Sequence, residues 1–296
     1  MKVTLINSIN TASPSKTEIE KFDQVSSLLK ELDRMVGLIE VKEMVFEIYA
    51  LAQIHKKRVQ EKLKTNNVSW HMVFKGNPGT GKTTVARIIG KLFKEIGILT
   101  KGHLIEVERA DLVGEYIGHT ALKTREQLKK ALGGVLFIDE AYSLARGGDK
   151  DFGREAIDVV VKGAEDYRDN LVIILAGYYD EMNYLLEQNP GLKSRFPIEI
   201  TFPDYTDEEL FFIAEKFLED WEYLFSSEAA FYLKYKLKHL DQSKKSSGNA
   251  RLIRNIIEKA IRRQAVRLLG KSKVTKEDLL VLEKEDLEKA ILALNL

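Results

Sequence analysis

The sequence predicts an α/β fold in which a parallel sheet flanked by helices carries a phosphate-binding loop and is followed by a smaller all-α domain. Three observations predict it. Short apolar runs alternate with segments of helical spacing as far as residue 202. The stretch GNPGTGKT, Gly76 to Thr83, fits G-x-x-x-x-G-K-[ST] directly after one such run and before the helical run VARIIGKLF. Beyond Phe202-Pro203-Asp204-Tyr205 the strand-like runs stop, and helical patterns take over.

Residues 1–32 are polar and rich in Ser and Thr, and are expected to form a loosely held arm. Residues 33–205 are expected to form the α/β domain. Its first helix follows from apolar residues at Val41, Met44, Val45, Ile48 and Ala52. After a polar turn, the strand candidates are His71–Phe74, Leu104–Val107, Val135–Ile138, Leu171–Leu175 and Ile198–Phe202. Residues 206–296 are expected to be helical. In ARLIRNIIEKAIRRQAVRLL, Leu252, Ile253, Ile256, Ile257, Ala260 and Ile261 share one face, with Arg and Lys opposite.

Bulk properties narrow the classes. With 296 residues the chain can bury a large core. A net charge of +1 gives no global attraction to nucleic acid or an anionic membrane. The absence of cysteine excludes disulfides, thiolate metal sites and thiol nucleophiles, and fits a reducing cytosol. The amino end lacks the apolar core of a signal peptide, and no apolar run approaches spanning length. A soluble, cytoplasmic protein is expected.

In the phosphate loop, glycines let the backbone curl so that its N–H groups face a β-phosphate, reinforced by the helix N-terminus. The stretch Asn77, Pro78, Gly79, Thr80, Gly81, Lys82, Thr83 and Thr84 is therefore the expected nucleotide-binding segment. Lys82 would reach the β and γ phosphates of ATP, and Thr83 would ligate Mg²⁺. GGVLFIDEAYSL puts Asp139 and Glu140 at the end of a strand. Asp139 there can hold the magnesium shell, and Glu140 can polarise an attacking water as general base. Fragments of a GTPase signature occur at Asp111-Leu112-Val113-Gly114 and Thr275-Lys276-Glu277-Asp278, each in the wrong setting. Asp111 follows polar residues, and Thr275 reads as a helix N-cap.

With these motifs in place, the chain resembles an AAA+ ATPase, and more narrowly the family of stage V sporulation protein K and CbbX, the red-type rubisco activase. The resemblance runs from about Met35 to Leu269. It rests on FKGNPGTGKTTVAR, ERADLVGEYIGHTA, GGVLFIDEAYSLARGG, ILAGY, NPGLKSRFP, FPDYT and GNARLIRN. It implies a ring of identical subunits, usually hexameric, with ATP at the subunit boundaries. Arg195 matches the arginine finger, which reaches the neighbour's γ-phosphate. Arg251 matches sensor 2, with Arg254 one turn on as a competing choice, and Val36-Gly37 would pack near adenine. Where the family usually presents Asn, Ser or Thr as sensor 1, this chain has Ala176-Gly177-Tyr178.

GEYIGHT matches the loop lining the central pore, where Tyr116 and Ile117 between glycines would grip an extended polypeptide. Arg146-Gly147-Gly148 matches a second pore loop. The implied activity is ATP hydrolysis coupled to remodelling or pulling a protein partner, in spore formation by resemblance alone. Two other readings stay open: a metabolic activator of the rubisco-activase kind, and a nucleic-acid motor, which the balanced charge and the Tyr-Ile loop disfavour.

Overall fold

Five apolar runs form one all-parallel sheet: β1 (Met72–Gly76), β2 (Leu104–Val107), β3 (Val135–Ile138), β4 (Val172–Gly177) and β5 (Ile198–Phe202), in the order β2-β3-β4-β1-β5. The structure, a computed structural model, describes residues 16–65, 68–116, 118–146 and 152–296. Three strands fall where expected. β1 and β4 start one residue later and run further, to Gly76 and Gly177. His71 is the reason on the β1 side. Its ring, buried beside the sheet, bonds the Ala164 carbonyl at 2.8 Å and accepts the Ile173 N–H at 3.0 Å.

The central strands are buried on both faces, as a parallel sheet between helical layers requires. Met72, Phe74, Val135, Phe137, Ile174 and Phe202 point into one core. Val73, Leu136, Ile138, Ile173 and Leu175 point into the other. The first layer holds α1 (Lys16–Asp33), α2 (Ile39–Gln60) and α3 (Lys82–Ile96). The second holds α4 (Arg109–Leu112), α5 (His119–Ala131), α6 (Gly153–Asp166), α7 (Tyr179–Gln188) and α8 (Pro190–Arg195).

The helix α1 departs from the loose arm expected for residues 1–32. Residues 16–33 are helical, and Val25 and Leu32 are buried against α3. With Leu28 and Leu29 they form an apolar stripe at i, i+3, i+4 and i+7, a helical signal that the polar composition of the stretch obscured. Residues 1–15 lie outside the described residues.

The chain then enters the lid: α9 (Asp207–Asp220), α10 (Ser227–His239), α11 (Gln242–Ser246), α12 (Ala250–Leu269), α13 (Lys276–Leu280) and α14 (Lys284–Leu292). It is helical as expected, with one addition, a two-residue parallel pairing of β6 (Leu224–Phe225) with β7 (Val281–Leu282). Thr206 starts α9 with a capping box, its hydroxyl accepting from Glu209 N–H at 3.2 Å. Thr275 does the same for α13 with Asp278, and Asp111 caps Glu108 N–H at 2.9 Å, so both GTPase-like fragments are helix starts. Lid residues Leu210, Ile253, Ile257 and Leu287 join the core that includes Phe74 and Phe202. Among the described residues, no helix is long and apolar enough to cross a membrane.

Candidate nucleotide site

A cleft of about 690 Å³ opens between the C-terminal ends of β1, β3 and β4 and the lid. That is where open parallel sheets hold ligands. Gly76, Pro78, Gly79, Gly81, Lys82, Thr83 and Thr84 line it from the phosphate loop, Asp139 and Glu140 from the end of β3, and Arg251 and Arg254 from α12.

The loop is tightly enclosed. Gly79 has φ 74, and a Cβ there would lie 2.1 Å from the Gly248 carbonyl of the lid, so only glycine fits. Lys82 opens α3 and folds back on its own loop, donating to the Gly76 and Asn77 carbonyls at 2.8 Å each. Burial pulls the ammonium below its ordinary pKa. Asp139 and Asp204 oppose this, while the Arg251 guanidinium adds to it. Two cations thus converge on one space, an arrangement that bound polyphosphate relieves. Two residues of the expected segment turn their side chains elsewhere. Asn77 donates to Asp204 at 2.9 and 3.0 Å, and the buried Thr80 hydroxyl donates to the Asn77 carbonyl at 2.8 Å. Both can serve a phosphate only through backbone.

Glu140 sits at φ 46, the left-handed region, which a non-glycine residue seldom occupies outside constrained sites. Its N–H donates to the Asp139 carboxylate at 3.0 Å. Burial first, and then the Glu140 carboxylate beside it, push the Tyr142 hydroxyl up to about 12. Tyr142 therefore stays a neutral donor beside the expected base. Tyr178, which follows β4, also lines the cleft, its ring 5.7 Å from that of Tyr142.

At the far end Met35 and Val36 face Ile213 and Phe217 of α9. This is an apolar slot suited to a base. Gly37 does not line it. At φ 61 it packs against Glu209, where a Cβ would meet Oε1 at 2.1 Å. Arg254 bonds Glu258 at 2.9 Å, whereas Arg251 is the arginine whose charge reaches Lys82. That geometry favours Arg251 over its competitor.

Three expectations fall on residues outside the cleft lining or outside the described residues. Arg195 ends α8 and does not line it. Its Nη1 donates to Ser194 Oγ at 3.2 Å, its Nε stands 3.8 Å from Glu165, and that Nε is buried without a hydrogen-bond partner among the described residues. Tyr116 is 65% exposed, contacting His119 edge-on at 5.4 Å, so it is not a packed core tyrosine. Ile117, Gly147 and Gly148 lie outside the described residues, while Arg146 is exposed with its guanidinium 4.5 Å over the Tyr142 ring.

Residues 72–204 match the profile of the ATPase family associated with various cellular activities (AAA), and residues 206–295 match the AAA lid domain. Stage V sporulation protein K of Bacillus subtilis is 52% identical over 279 residues, covering 91% of this chain and 85% of its own. The chain belongs to the AAA ATPases. Other relatives of this AAA ATPase include CbbX of Cereibacter sphaeroides, 48% identical with 83% and 80% of the two chains covered. A chloroplastic ribulose bisphosphate carboxylase/oxygenase activase of Cyanidioschyzon merolae is 45% identical, with 91% and 93% covered. A mutant RuvB of Thermotoga maritima superposes with a TM-score of 0.59 at 20% identity over 89% of this chain and 72% of its own, a likeness of fold.

The AAA ATPase cleft also uses residues that motif reading missed: Tyr142, Phe217, Arg34, Arg87 and, behind the loop, Asp204 and Asn249. Tyr142 lay inside the quoted DEAYSL and could have been found there. Asp204 and Asn249 likewise lay inside FPDYT and GNAR, while Phe217, Arg34 and Arg87 reach the cleft only through tertiary packing.

Proposed function

We propose that this ATPase binds ATP in the cleft and uses hydrolysis to pull on or remodel a protein partner through the pore of a homo-oligomeric ring, a hexamer in its full form. The convergence of Lys82, Asp139, Glu140 and Arg251 on one space carries the reading. Lys82 leaves its loop carbonyls for the β and γ phosphates. Arg251 approaches from the lid, and Met35, Val36, Ile213 and Phe217 hold the base. Glu140 takes a proton from the attacking water, with the Tyr142 hydroxyl also on the cleft wall. Magnesium fits the site. Thr83 and Asp139 offer hard oxygens, and no cluster of three or more acidic or histidine groups among the described residues forms an all-protein cage. Phosphate oxygens and water would complete the shell. When bound, the ion neutralises charge between the β and γ phosphates.

Arg195, lying outside its own cleft, is assigned to the neighbour's γ-phosphate, which makes the ring part of the active site. Exposed Tyr116, two residues before Gly118, is assigned with Ile117 to the pore. A cytoplasmic role in spore formation follows the sporulation relative at 52% identity. A second reading, activation of a carboxylating enzyme, follows the relatives at 45% and 48%. The test uses Glu140→Gln. It should bind ATP with near-parent affinity and hydrolyse about 10²-fold more slowly or worse. Parent-rate turnover would remove Glu140 from the mechanism. In the presence of ATP it should hold the partner from sporulating cells, whereas stimulation of the parent by ribulose bisphosphate would select the activator reading.

A further inference from the structure

The lid meets the phosphate loop through a buried side chain that no catalytic role accounts for. Asn249, the residue before α12, is 1% exposed and held at φ 46, ψ −127. Its Oδ1 accepts the Tyr205 N–H at 3.0 Å. Its Nδ2 donates to Asp204 Oδ1 at 2.8 Å, the Ser246 carbonyl at 3.1 Å and the Pro78 carbonyl at 3.2 Å. Two N–H hydrogens are thus shared among three acceptors, and the oxygen also has a partner, so both ends of the amide are engaged.

The bonds join three parts of the chain. Asp204 and Tyr205 form the hinge where the sheet hands over to the lid, and Pro78 is in the phosphate loop. Asp204 also accepts from Asn77 at 2.9 and 3.0 Å, and Ala250 N–H donates to the Gly79 carbonyl at 3.2 Å. Asn77, Pro78 and Gly79 are therefore each tied to the hinge or the lid. Burial raises the Asp204 pKa, but hydrogen bonds from Ser246, Asn249 and Asn77 outweigh it and hold the carboxyl below its ordinary range. The carboxylate is the acceptor the network needs. Glycine would suit the Asn249 backbone better than asparagine does, so the side chain is what the site retains.

We propose that Asn249 is a positioning residue that latches the lid to the phosphate loop, so that phosphate bound by the loop and the angle of the lid are coupled through its amide. The proposal rests on the cleft being the ATP site. Phosphate that draws Lys82 off the Gly76 and Asn77 carbonyls changes the loop segment whose next carbonyls, Pro78 and Gly79, hold Asn249 and Ala250. Arg251 follows two residues later, so the latch also sets how its guanidinium approaches the phosphates. An aspartate at 249 would lose both donors and face Asp204 with like charge.

The test exploits the absence of cysteine. Cysteines replacing exposed Arg125 on α5 and Arg262 on α12 take a fluorophore pair that reports lid angle. The measurement compares the full chain with Asn249→Gly, Asn249→Asp and the exchange Asn249→Asp/Asp204→Asn, each with and without ATP, beside melting temperature and steady-state kinetics. The parent should change its inter-probe distance on binding ATP. Asn249→Gly should lose that response and fall about 10-fold in kcat, within the usual range of coupling between sites, with KM little changed. Asn249→Asp should lose more, and the exchange should recover part of the response by restoring one donor to one carboxylate. Rescue by the exchange would uphold the latch even if the glycine variant folded poorly. A parent that binds ATP, with Asn249→Gly melting lower yet keeping the full distance response and kcat, would reduce Asn249 to a structural residue. A parent that binds no nucleotide would overturn the reading of the cleft, and the latch with it.

Discussion

The phosphate loop from Gly76 to Lys82 and the loop from Gly114 to Gly118 both end on a glycine in the left-handed region at a helix N-terminus, Gly81 at φ 99 before α3 and Gly118 at φ 80 before α5. Their surroundings differ. A Cβ on Gly81 would meet Met35 at 2.8 Å and one on Gly79 would meet the lid at 2.1 Å, whereas nothing lies within 4 Å of one on Gly118. The same local device is thus enclosed by the lid and Met35 in one place and open beside an exposed tyrosine in the other. Enclosure suits a ligand of fixed shape, and here the Pro78 and Gly79 carbonyls are tied to the lid. Projection suits a partner of varying sequence, met from outside.

Lys82→Ala tests the enclosed loop hardest. The ammonium is a principal charge offered to the β and γ phosphates, so measurable ATP binding should vanish in a fluorescent-nucleotide titration. Parent-like binding would show that the backbone alone suffices. Arg195→Ala should instead bind ATP nearly normally and lose hydrolysis by about 10³-fold or more, the scale of a missing arginine finger. Mixing it with excess Lys82→Ala subunits should restore some turnover, because the two defects then lie in different parts of a shared site. Mixed rings, shown independently to form, with no recovery at any ratio would return Arg195 to a local role beside Glu165.

The comparison also explains what the sequence could and could not disclose. The enclosed loop was legible because its chemistry is local: glycines, a lysine and a hydroxyl at fixed spacing after a strand. The expected strands, each starting at or within one residue of the right place, had the same cause, short apolar runs between turn residues. Helix α1 was legible and went unread: Val25, Leu28, Leu29 and Leu32 recur at i, i+3, i+4 and i+7 and pack on the core, but the polar, Ser- and Thr-rich composition of the stretch points to a loose arm instead. Asn249 was quoted within GNAR, yet its importance depends on Pro78 and Asp204, far away along the chain. Gly37 matched a motif and still faces Glu209 rather than the base slot, because a two-residue pattern does not fix a direction.

A paired substitution sharpens the difference between the loops. Alanine at either Gly79 or Gly118 meets the same backbone penalty, about 1–2 kcal/mol for a left-handed residue. Only at Gly79 does the new methyl also strike backbone, the Gly248 carbonyl. Gly79→Ala should therefore lower ATP affinity by about 5- to 150-fold, through added strain of roughly 1–3 kcal/mol. Gly118→Ala should leave affinity unchanged and lower stability only by the backbone term. Equal losses of affinity in calorimetric titrations would mean that the two glycines do the same work.

Tyr116→Ala carries the smallest expected effect on the isolated protein and the most telling one on function. The side chain is 65% exposed, with an edge contact to His119. Truncation should shift stability by no more than about 0.5 kcal/mol, the range for surface substitutions away from special features. A buried tyrosine would instead cost about 3–5 kcal/mol. Basal hydrolysis should also persist, because Tyr116 does not line the ATP cleft. A polypeptide threading past the loop would lose an apolar contact worth about 1–3 kcal/mol per engaged side chain. Stimulation of the ATPase by that polypeptide, and its remodelling, should fall sharply while the melting curve stays in place. A large drop in melting temperature would mean that the ring is packed in the assembled protein, and the loop would then be part of the scaffold rather than the grip.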